Sequence, residues 1–572
     1  MFKNVVRPCA LAVFFFFFAH AGQAEVSAQL KLLDLMVQEG VISADKAQNI
    51  RTRMTAGEQV NLPAPEAGST RVNYVPETVK NQIRDEVRNG MREDVVKDVM
   101  TQAKNERWGV PGALPEWANR IKFKGDLRMR AESDVFASDN IEYSYLNYNK
   151  INEKKKFDLR ANELYENANQ TYLDVTDDRY RLRTRARVSI DAKITELTKA
   201  SIRLATGSSK NPVSTNQTLG NEGLPWDVFV DRAYVSFTDL DMDRYPWVTA
   251  TVGRMNNPFV TTDLLWDGDL AFEGAAATFK YDWKKSGLFA IDDHSRTLFA
   301  TVGIFAVDES EITSQDKWLY ALQLGGDFTD ESQNKFTVAV GYYDYENMVG
   351  VLNQEGSNTQ DFTAPNFFQK GNTVFNIVNY ISAYDLDPSK NTPPTDALAA
   401  LAAEYKIVDL NLNYDIAAFS PYHIILTTHV LKNIGYSKKD VQARLDSQDI
   451  SFPQPATSLA SDPVVPYEYA DSKPKTKGYY VNVDFGWPLI AKRGDWSVGV
   501  GYKYLQADAV VDAYTDSDFH LGGTDAKGFI LSGRYGITDD TFVQLRYMSA
   551  SEIDAVNPLS VDVAQLDLNV KF

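Results

Sequence analysis

The sequence predicts an all-β transmembrane antiparallel barrel of about 16 strands, preceded by a short α-helical periplasmic segment. Three observations lead to this fold class. The first residues have the pattern of an export signal. From residue 119 onward, segments of about ten residues alternate polar and apolar side chains, as the strands of such barrels do. The connections between these segments alternate between short and long, as the turns and loops of a barrel do.

Residues 1–24 are predicted to be a signal peptide. Lys3 and Arg7 precede an apolar run at residues 10–19, and small residues follow it up to Ala24, the favoured cleavage site. The apolar run is much shorter than the roughly 20 residues that a transmembrane helix needs, although an uncleaved anchor is the alternative. The single cysteine, Cys9, precedes the run, so the exported chain would contain no disulfide and no thiolate metal site.

Residues 25–107 are predicted to be a helical periplasmic segment with an internal linker. Residues 29–54 fit two short helices, and residues 56–76 are rich in proline, glycine and alanine, which is typical of a linker. Between residues 77 and 105, apolar residues recur every four positions among charged ones, which predicts an amphipathic helix. The spacing leaves two interpretations open: a bundle or coiled coil between protomers, or packing on its own domain or on the barrel rim.

The barrel is predicted for residues 119–572. Sixteen segments in this range alternate in polarity and are separated by stretches rich in turn residues. They begin near Asn119, Asp178, Lys199, Val228, Trp247, Leu270, Thr297, Lys317, Asn334, Tyr405, Pro421, Gly478, Asp495, Lys527, Thr541 and Val561. An even number of strands places both ends of the barrel on the same side of the membrane.

The length of a connection depends on whether the segment before it is even-numbered or odd-numbered. After even-numbered segments the connections are mostly short: 194–198, 239–246, 329–333, 419–420, 488–494 and 539–540, with 284–296 longer than ideal. After odd-numbered segments lie the long ones: 133–177, 208–227, 348–403, 437–473 and 509–524. Outer-membrane barrels have short periplasmic turns and longer external loops, whereas a soluble β protein has no reason to sort its loops this way. The parity therefore predicts that every long loop lies outside the cell.

One strand shows which face would meet lipid. In residues 179–187 arginine occupies every second position, and mainly apolar residues stand between the arginines. An arginine that faces lipid at the midplane costs roughly 2–4 kcal/mol, so five on one strand need water on their side. In a soluble sandwich the apolar face would be core instead, and alternation alone does not exclude that fold. The export signal, the loop parity and the aromatic residues near the ends of apolar faces favour lipid outside.

Composition and motifs argue against several other classes. The net charge of −18 is unlike that of a nucleic-acid-binding protein. The turn at 291–296 reads I-D-D-H-S-R, but adjacent residues in a turn rarely reach catalytic geometry. His423 and His429 are too far apart along one strand to share a metal. The alternate aspartates at 239–243 lack the glycine and glutamate of a calcium loop. We therefore expect no catalytic residues, no metal and no cofactor.

Five stretches carry a resemblance to a known family: GRMNNPF (253–259), DLLWDGDLAFEGAAATFKY (263–281), VAVGYYDY (338–345), TDSDFHLGGTDAKGFIL (515–531) and VAQLDLNVKF (563–572). Together they resemble the putative outer-membrane porin family of Gram-negative bacteria over most of the mature chain. A helical segment ahead of the barrel is also typical of that family. The resemblance implies an outer-membrane β-barrel that lets small hydrophilic solutes cross, with the final Phe572 as the signal read by the barrel-assembly machinery.

A barrel of this strand number is wide enough for a water-filled channel, whose selectivity would depend on wall charges and inward-folded loops. The residues expected to set it are Arg120, Lys122, Lys124, Arg128, Arg130, Arg179, Arg181, Arg183, Arg185, Arg187, Lys199 and Arg203, with Asp409, Asp415 and acidic loop residues as counter-charges across the lumen. The pattern predicts passive diffusion with weak anion selectivity, and a dedicated phosphate or organic-anion site is the sharper alternative. The loop at 348–403 would constrict or cap the lumen, whereas the loop near 260–269 is short for a deep constriction.

The sequence leaves two other functions open. A barrel enzyme would need a nucleophile or an acid–base cluster at the rim, and no convincing one is present. A structural or adhesive barrel would be tethered to the cell wall or oligomerised by its N-terminal helices. The expected partners are outer-membrane lipid, the barrel-assembly machinery, further copies in a homo-trimer, and peptidoglycan through residues 25–107. No nucleic-acid partner is expected.

Overall fold

The computed structural model of the chain divides into two units, Met1–Gly112 and Ala113–Phe572, and all described residues belong to the second. The described residues are 120–142, 144–154, 157–158, 172–241, 245–282, 296–311, 313–379, 396–448, 474–555 and 557–572. The predicted signal peptide, the predicted helical segment 25–107 and most of the turn at 291–296 lie outside them. Those predictions stay predictions.

Sixteen long strands form one closed antiparallel barrel. They are β1 Ile121–Phe136, β2 Arg179–Lys193, β3 Thr198–Thr206, β4 Val228–Leu240, β5 Pro246–Met255, β6 Phe272–Asp282, β7 Arg296–Asp308, β8 Lys317–Thr329, β9 Lys335–Glu346, β10 Tyr405–Phe419, β11 Tyr422–Asn433, β12 Lys477–Gly486, β13 Trp496–Leu505, β14 Ala526–Thr538, β15 Thr541–Glu552 and β16 Ser560–Lys571. Each begins within two residues of a predicted start, so the predicted strand number and order are confirmed.

The seam of the barrel lies between β1 and β16, which pair in antiparallel register while β1 also pairs with β2. The last residue completes the seam. The Phe572 N–H donates to the Gly125 carbonyl at 3.0 Å, and the Gly125 N–H donates to the Phe572 carbonyl at 2.7 Å. A Cβ built on Gly125 would lie only 2.4 Å from the Phe572 ring, so glycine makes room for the ring. The closed ladder leaves no edge with unpaired backbone groups.

The two faces of each strand differ as predicted. On β2, Tyr180, Leu182 and Val188 point outward and are exposed, whereas Arg181 and Arg183 lie half-buried on the inner face. The same division recurs on the other strands, where Val483, Leu531 and similar apolar side chains are exposed. Exposed apolar side chains over a whole outer surface are expected where lipid, not water, is the solvent.

The connections after odd-numbered strands all lie at one end of the barrel, and we call them L1 to L8. They are L1 (137–178), L2 (207–227), L3 (256–271), L4 (309–316), L5 (347–404), L6 (434–476), L7 (506–525) and L8 (553–559). Short turns join the strands at the other end, such as 194–197 between β2 and β3. The predicted division between long and short connections is therefore present, with L4 and L8 as the short members of L1 to L8.

Loops L1 to L8 contain short regular elements. Helix α1 is Tyr148–Lys154 in L1, and helix α2 is Lys438–Ser447 in L6. Other short elements among the described loop residues are the 3₁₀ turns Asp361–Thr363, Asp512–Tyr514 and Phe519–Leu521, the paired strands Val374–Asn376 and Ala399–Leu401, the paired strands Phe157–Asp158 and Asp396–Ala397, and the strand Gln217–Thr218, which pairs with β2. No helix among the described residues is both long enough and apolar enough to cross a membrane.

The main hydrophobic core lies inside the barrel, and L3, L5 and L7 contribute much of it. The L3 residue Phe259 packs edge to face on Tyr343 of β9, with ring centroids 5.5 Å apart. Trp266, also in L3, packs edge to face on Phe272 of β6 at 4.9 Å, and its Nε1 donates to the Tyr345 hydroxyl at 3.0 Å. Aromatic pairs of this geometry stabilise a fold beyond the area that they bury. The loops therefore fill the lumen beside β6 to β9, near the ends of these strands that carry L3 to L5.

Valine in place of Gly125 should weaken the seam. Its branched side chain would collide with the Phe572 ring, and we expect a loss of about 1 kcal/mol, the lower end of overpacking costs, because the ring can swing away. Gly533 on β14 is a matched control, since a Cβ there meets nothing within 4 Å. The temperature at which the folded barrel unfolds on detergent gels should fall for Gly125→Val and stay unchanged for Gly533→Val. An equal fall in both variants would contradict the role of the ring.

Candidate functional site

The register of β1 and β2 places some of the β2 arginines opposite carboxylates. Asp126 stands opposite Arg187, and Glu132 stands opposite Arg181. Arg183 and Arg185 stand opposite arginines of β1 and reach the neighbouring carboxylates instead. The Asp126 carboxylate accepts hydrogen bonds from Arg187 at 2.8 Å and from Arg185 at 3.0 Å. The Glu132 carboxylate likewise accepts from Arg181. The arginine row is therefore held in place by carboxylates on the adjoining strand.

Arginines of β1 are held from the other side by β16. The Arg130 guanidinium donates to both oxygens of Asp567, at 2.7 and 2.9 Å, which is the bidentate geometry of the strongest ion pairs. Gln565, two residues earlier on β16, donates to Glu132 at 3.0 Å. These contacts lie directly across the seam, so closing the barrel also completes this charge network.

L3 brings a further carboxylate, Asp269, to the arginine row. Arg187 donates to Asp269 at 3.0 Å, and Arg185 lies 3.6 Å from the same oxygen. The other Asp269 oxygen accepts from the Thr215 hydroxyl of L2 at 3.0 Å. Burial alone would raise the pKa of Asp269, but the guanidiniums of Arg185 and Arg187 outweigh burial and hold the pKa below its ordinary value. Asp269 is therefore a charged group that ties L3 to the wall.

L7 supplies a second such group, Asp518. Its carboxylate accepts from Arg130 at 2.9 Å and from Arg546 of β15 at 3.2 Å. Burial would raise the pKa of Asp518, but these two guanidiniums outweigh burial and hold it far below the ordinary value. Nearby, Asp516 of L7 accepts from Lys503 of β13 at 2.8 Å. L7 is thus tied to the wall by charge on both sides.

L3 and L7 are also bonded to one another. The Asp267 carboxylate of L3 accepts from the Ser517 N–H at 2.9 Å, and the Asp267 N–H donates to the Tyr514 carbonyl at 2.8 Å. Burial raises the pKa of Asp267 well above its ordinary value, and the neighbouring Asp269 and Asp516 carboxyls raise it further. The two loops form one hydrogen-bonded unit inside the barrel.

The opposite side of L3 is pinned to the wall formed by β10 and β11. His429 Nε2–H donates to Asp409 at 3.0 Å, which leaves Nδ1 to accept from the Thr262 hydroxyl at 2.8 Å. The Val260 N–H donates to Gln323 of β8 at 2.8 Å. L3 therefore spans the lumen from β10 and β11 to the arginine row. The expectation that this loop is short for a deep constriction was wrong, because L3 lies across the lumen and needs few residues to do so.

The predicted counter-charges Asp409 and Asp415 have other partners. Asp409 contacts His429, as described above, and Asp415 lies 2.5 Å from His423 Nδ1. Among the described residues, neither forms an ion pair with an arginine. The arginines pair instead with carboxylates on neighbouring strands and on inward-folded loops. Ion pairs need contact over a few ångströms, and the loops bring carboxylates much nearer than the far wall does.

The remaining predicted cations fall into three groups. Arg128 belongs to the network, with Asp567 at 3.9 Å, and Arg203 pairs with Asp231 on the adjacent β4. Arg179 is exposed where L1 runs into β2. Near the opposite end of β1 to β3, Lys122, Lys199 and Arg120 are exposed, and Lys124 pairs with Asp191 at 2.8 Å.

Several network residues were absent from the predicted set. Asp126, Glu132 and Asp567 stand on the same strand faces as the predicted cations, so period two could have found them. Arg546 and Lys503 lie on strands with few other inward charges, so no charge pattern in the sequence singles them out as network residues. Asp269 and Asp518 lie in irregular loops, where no period predicts which side chains will point inward.

L5 and L7 are joined by a contact between Lys370 and His520. His520 Nε2–H donates to the Leu559 carbonyl at 2.9 Å, which leaves Nδ1 to accept from Lys370 Nζ. The Thr524 N–H donates to the Lys370 carbonyl at 2.8 Å. Burial and the adjacent ammonium lower the pKa of His520 well below its ordinary value, and burial lowers the pKa of Lys370 to about 8. We call this contact the L5–L7 clasp, and it depends on a neutral histidine.

In the part of the chain that the structure describes, no three His, Cys, Asp or Glu side chains are grouped so as to hold a metal ion. The chain Thr262–His429–Asp409 has the connectivity of a catalytic triad. However, His429 is fully buried, and the Thr262 hydroxyl also accepts from the Leu264 N–H at 3.3 Å. These contacts hold L3 in place and do not present a nucleophile to the lumen.

Comparisons with known proteins agree with this architecture. The model of a family described as "Putative porin" matches residues 26–572. Among solved structures, OprB of Pseudomonas putida is 10% identical, with 81% of this chain and 97% of that chain covered and a TM-score of 0.41. The outer membrane channel DcaP of Acinetobacter baumannii is 8% identical, with 79% and 97% covered and a TM-score of 0.36. The trimer form of OmpT of Vibrio cholerae is 10% identical, with 79% and 99% covered and a TM-score of 0.34. No curated protein sequence matches the chain.

Acid should loosen the L5–L7 clasp. An unfolded chain protonates histidine near pH 6.5, whereas buried His520 takes up a proton only at lower pH. The clasp's contribution to stability is therefore complete above pH 6.5 and is lost as the pH falls below it. Amide hydrogen exchange of residues 519–525, corrected for the intrinsic rate, should rise between about pH 7.5 and about pH 5.

His520→Asn is the matched control for this measurement. Its amide oxygen can accept from Lys370 but does not titrate, and asparagine tolerates the positive φ of 53° at this position. The carboxyls of Glu552, Asp525 and Asp512 act on Lys370 and remain in the variant, so any acid effect through them remains too. Exchange in the variant should depend much less on pH. Equal acid sensitivity in both proteins would show that His520 is not the responsible group.

Proposed function

The chain belongs to the putative porin family, and from that premise we propose that it forms a weakly anion-selective, water-filled channel for passive diffusion of small hydrophilic solutes across the outer membrane. Family membership and the closed sixteen-stranded barrel support a porin in the outer membrane. The anion selectivity goes beyond what family membership supports, and this part of the proposal rests on charged side chains that face the lumen.

The excess of guanidinium over carboxylate in the arginine network supports the anion selectivity. Nine arginines form ion pairs with seven carboxylates, which leaves this network with two more positive than negative charges. The arginines are Arg128, Arg130, Arg181, Arg183, Arg185, Arg187, Arg203, Arg232 and Arg546, and the carboxylates are Asp126, Glu132, Asp134, Asp231, Asp269, Asp518 and Asp567. Walls of low dielectric strengthen the field of such an excess in a narrow aqueous path. A small excess supports weak selectivity.

The same count gives less support to a dedicated phosphate or organic-anion site. Each of the nine arginines already has a carboxylate partner, so a bound anion would have to displace that partner or share its donors. Passage past a positive wall needs no such exchange. We therefore favour diffusion over tight binding of simple anions in the network.

A structural or adhesive barrel is the competing function, and conductance separates the two. Purified, heat-modifiable protein inserted in a planar bilayer should produce unitary current steps in potassium chloride. Folded and inserted protein that never conducts would remove the porin proposal and leave the structural one.

The orientation and partners follow as further proposals. The loop parity and the even strand number support a periplasmic location for both ends of the barrel, and hence for residues 25–107, where they could contact peptidoglycan. The seam contact of Phe572 supports its role as the residue read by the barrel-assembly machinery. The amphipathic pattern between residues 77 and 105 supports a homo-trimer held by helices. The mass of the intact protein in detergent tests the trimer.

Replacing Arg181, Arg183 and Arg185 with alanine should turn weak anion selectivity into cation selectivity. The change removes three positive charges from the lumen and leaves their carboxylates behind, so the local excess reverses sign. Reversal potentials across a salt gradient in planar bilayers measure the effect, and unfolding on detergent gels checks that the barrel still forms.

Two further variants control for the amount of charge and for the position of the charge that is removed. Lysine at the same three positions keeps the charge and should keep the anion preference. Alanine at Lys432, Lys438 and Lys439, which are exposed outside the lumen, removes the same charge and should leave the reversal potential nearly unchanged. Cation selectivity in the unaltered protein would overturn the proposal.

A further inference from the structure

A cavity of about 540 Å³ lies at the external end of the arginine row, and we call it the vestibule. It is bounded by L1, L2, L5 and L7 and by the ends of β1, β2 and β16. Its volume lies within the range of roughly 300–1,000 Å³ that is usual for small-molecule sites. A solute that follows the arginine row inward would enter the barrel through this cavity.

The charges of the vestibule are arranged in two levels. Its floor carries Arg179, Arg181 and Arg183 on consecutive inward positions of β2. Arg181 and Arg183 form ion pairs with Glu132, which also lines the cavity, whereas Arg179 does not. The rim carries the L1 carboxylates Asp174, Asp177 and Asp178, all of them exposed. Arg179 on the floor therefore attracts negative charge, and the rim, a few residues earlier along the same chain, attracts positive charge.

Free charges are present on both levels. The Arg179 guanidinium and the Asp177 carboxylate make no hydrogen bond or close ion pair with any residue that the structure describes, and both are exposed. They are two positions apart in the chain, where L1 runs into β2. A ligand that carries both signs of charge could pair with both, whereas a ligand with one charge would meet one attractive level and one repulsive level.

The wall contributed by L1 and L5 is aromatic. Tyr148 of helix α1 and Phe368 of L5 have ring centroids 6.5 Å apart, and Phe367 also lines the cavity. Asn152 ties this wall together, because its side chain donates to the Phe368 carbonyl at 2.7 Å and accepts from the Phe368 N–H at 2.9 Å. The aromatic wall offers an apolar surface to a side group, beside the charged floor and rim.

We propose that the vestibule is a binding site for small zwitterions with an apolar side group, such as α-amino acids and short peptides. The carboxylate enters first and reaches the arginine floor, the ammonium stays at the acidic rim, and the side group lies on the aromatic wall. The proposal rests on the proposed channel function and names one chemical class of solute that the channel would bind. Binding of simple anions in the vestibule is weakened by the rim, and binding of simple cations is weakened by the floor.

Three probes with one side group test the proposal. They are L-phenylalanine, 3-phenylpropanoate, which lacks the ammonium, and 2-phenylethylamine, which lacks the carboxylate. Block of single-channel current by probe added on the external side should require roughly fivefold to tenfold less phenylalanine than either other probe, because only phenylalanine gains both charge pairs. Equal or stronger block by 3-phenylpropanoate would overturn the zwitterion site in favour of a plain anion site.

The variant Asp174→Asn/Asp177→Asn removes two rim charges and keeps a side-chain oxygen at each position for local hydrogen bonds. It should erase the preference for phenylalanine over 3-phenylpropanoate. The control Asp139→Asn/Glu142→Gln removes two exposed charges from the same loop outside the vestibule and should keep that preference. Loss of the preference in the control alone, or in neither variant, would show that the rim is not responsible.

Calorimetry on the full-length protein in detergent separates this proposal from the channel function. Heat of phenylalanine binding that is lost in the rim variant supports the site even if no current is seen, in which case only the channel proposal fails. Current without any preference among the three probes, together with no heat of binding, supports the channel and rejects the site.

Discussion

The closed backbone ladder is the constraint on which the rest of this protein depends. Within lipid every backbone N–H and C=O must be paired inside the protein, so β16 has to return to β1. Closure gives each strand one face toward lipid and one toward the lumen, and it sends the arginine row of β2 inward. It also leaves a lumen that wall side chains alone would not fill. L3, L5 and L7 fold into that space, with apolar residues toward β6 to β9 and carboxylates toward the arginines.

Charge balance then decides how the loops are held. A buried guanidinium without a partner is costly, and in this barrel the partners come from two sources. The antiparallel register supplies Asp126 and Glu132 from β1, and the inward-folded loops supply Asp269 and Asp518. The same contacts that neutralise the arginines therefore anchor L3 and L7. One consequence is that the charged wall and the loops inside the lumen belong to a single network, so changes in wall charge also act on loop position.

The charges change along the barrel axis from the loop end inward. L1 offers exposed carboxylates, the loop end of β2 offers exposed and half-buried guanidiniums, and deeper arginines are paired with loop carboxylates. In the proposed channel, a dipolar solute would move along this gradient by exchanging one partner at a time. The L5–L7 clasp borders this region through Lys370, which also lines the vestibule, so its acid sensitivity would act close to the point of entry.

By itself the sequence determined the positions of the strands, their two faces and the inward arginine row. Period-two alternation can be read from neighbouring residues alone, without knowing which strands pair with one another. It also determined that long connections lie at one end. The tertiary structure alone decided which loop carboxylates contact the arginines, namely Asp269 and Asp518, and it placed Asp409 against His429. Irregular loops have no period, and their inward side chains depend on packing against strands far away in the sequence. The length of L3 likewise does not show that this loop crosses the lumen, because its contacts with the wall join residues that are far apart in the sequence.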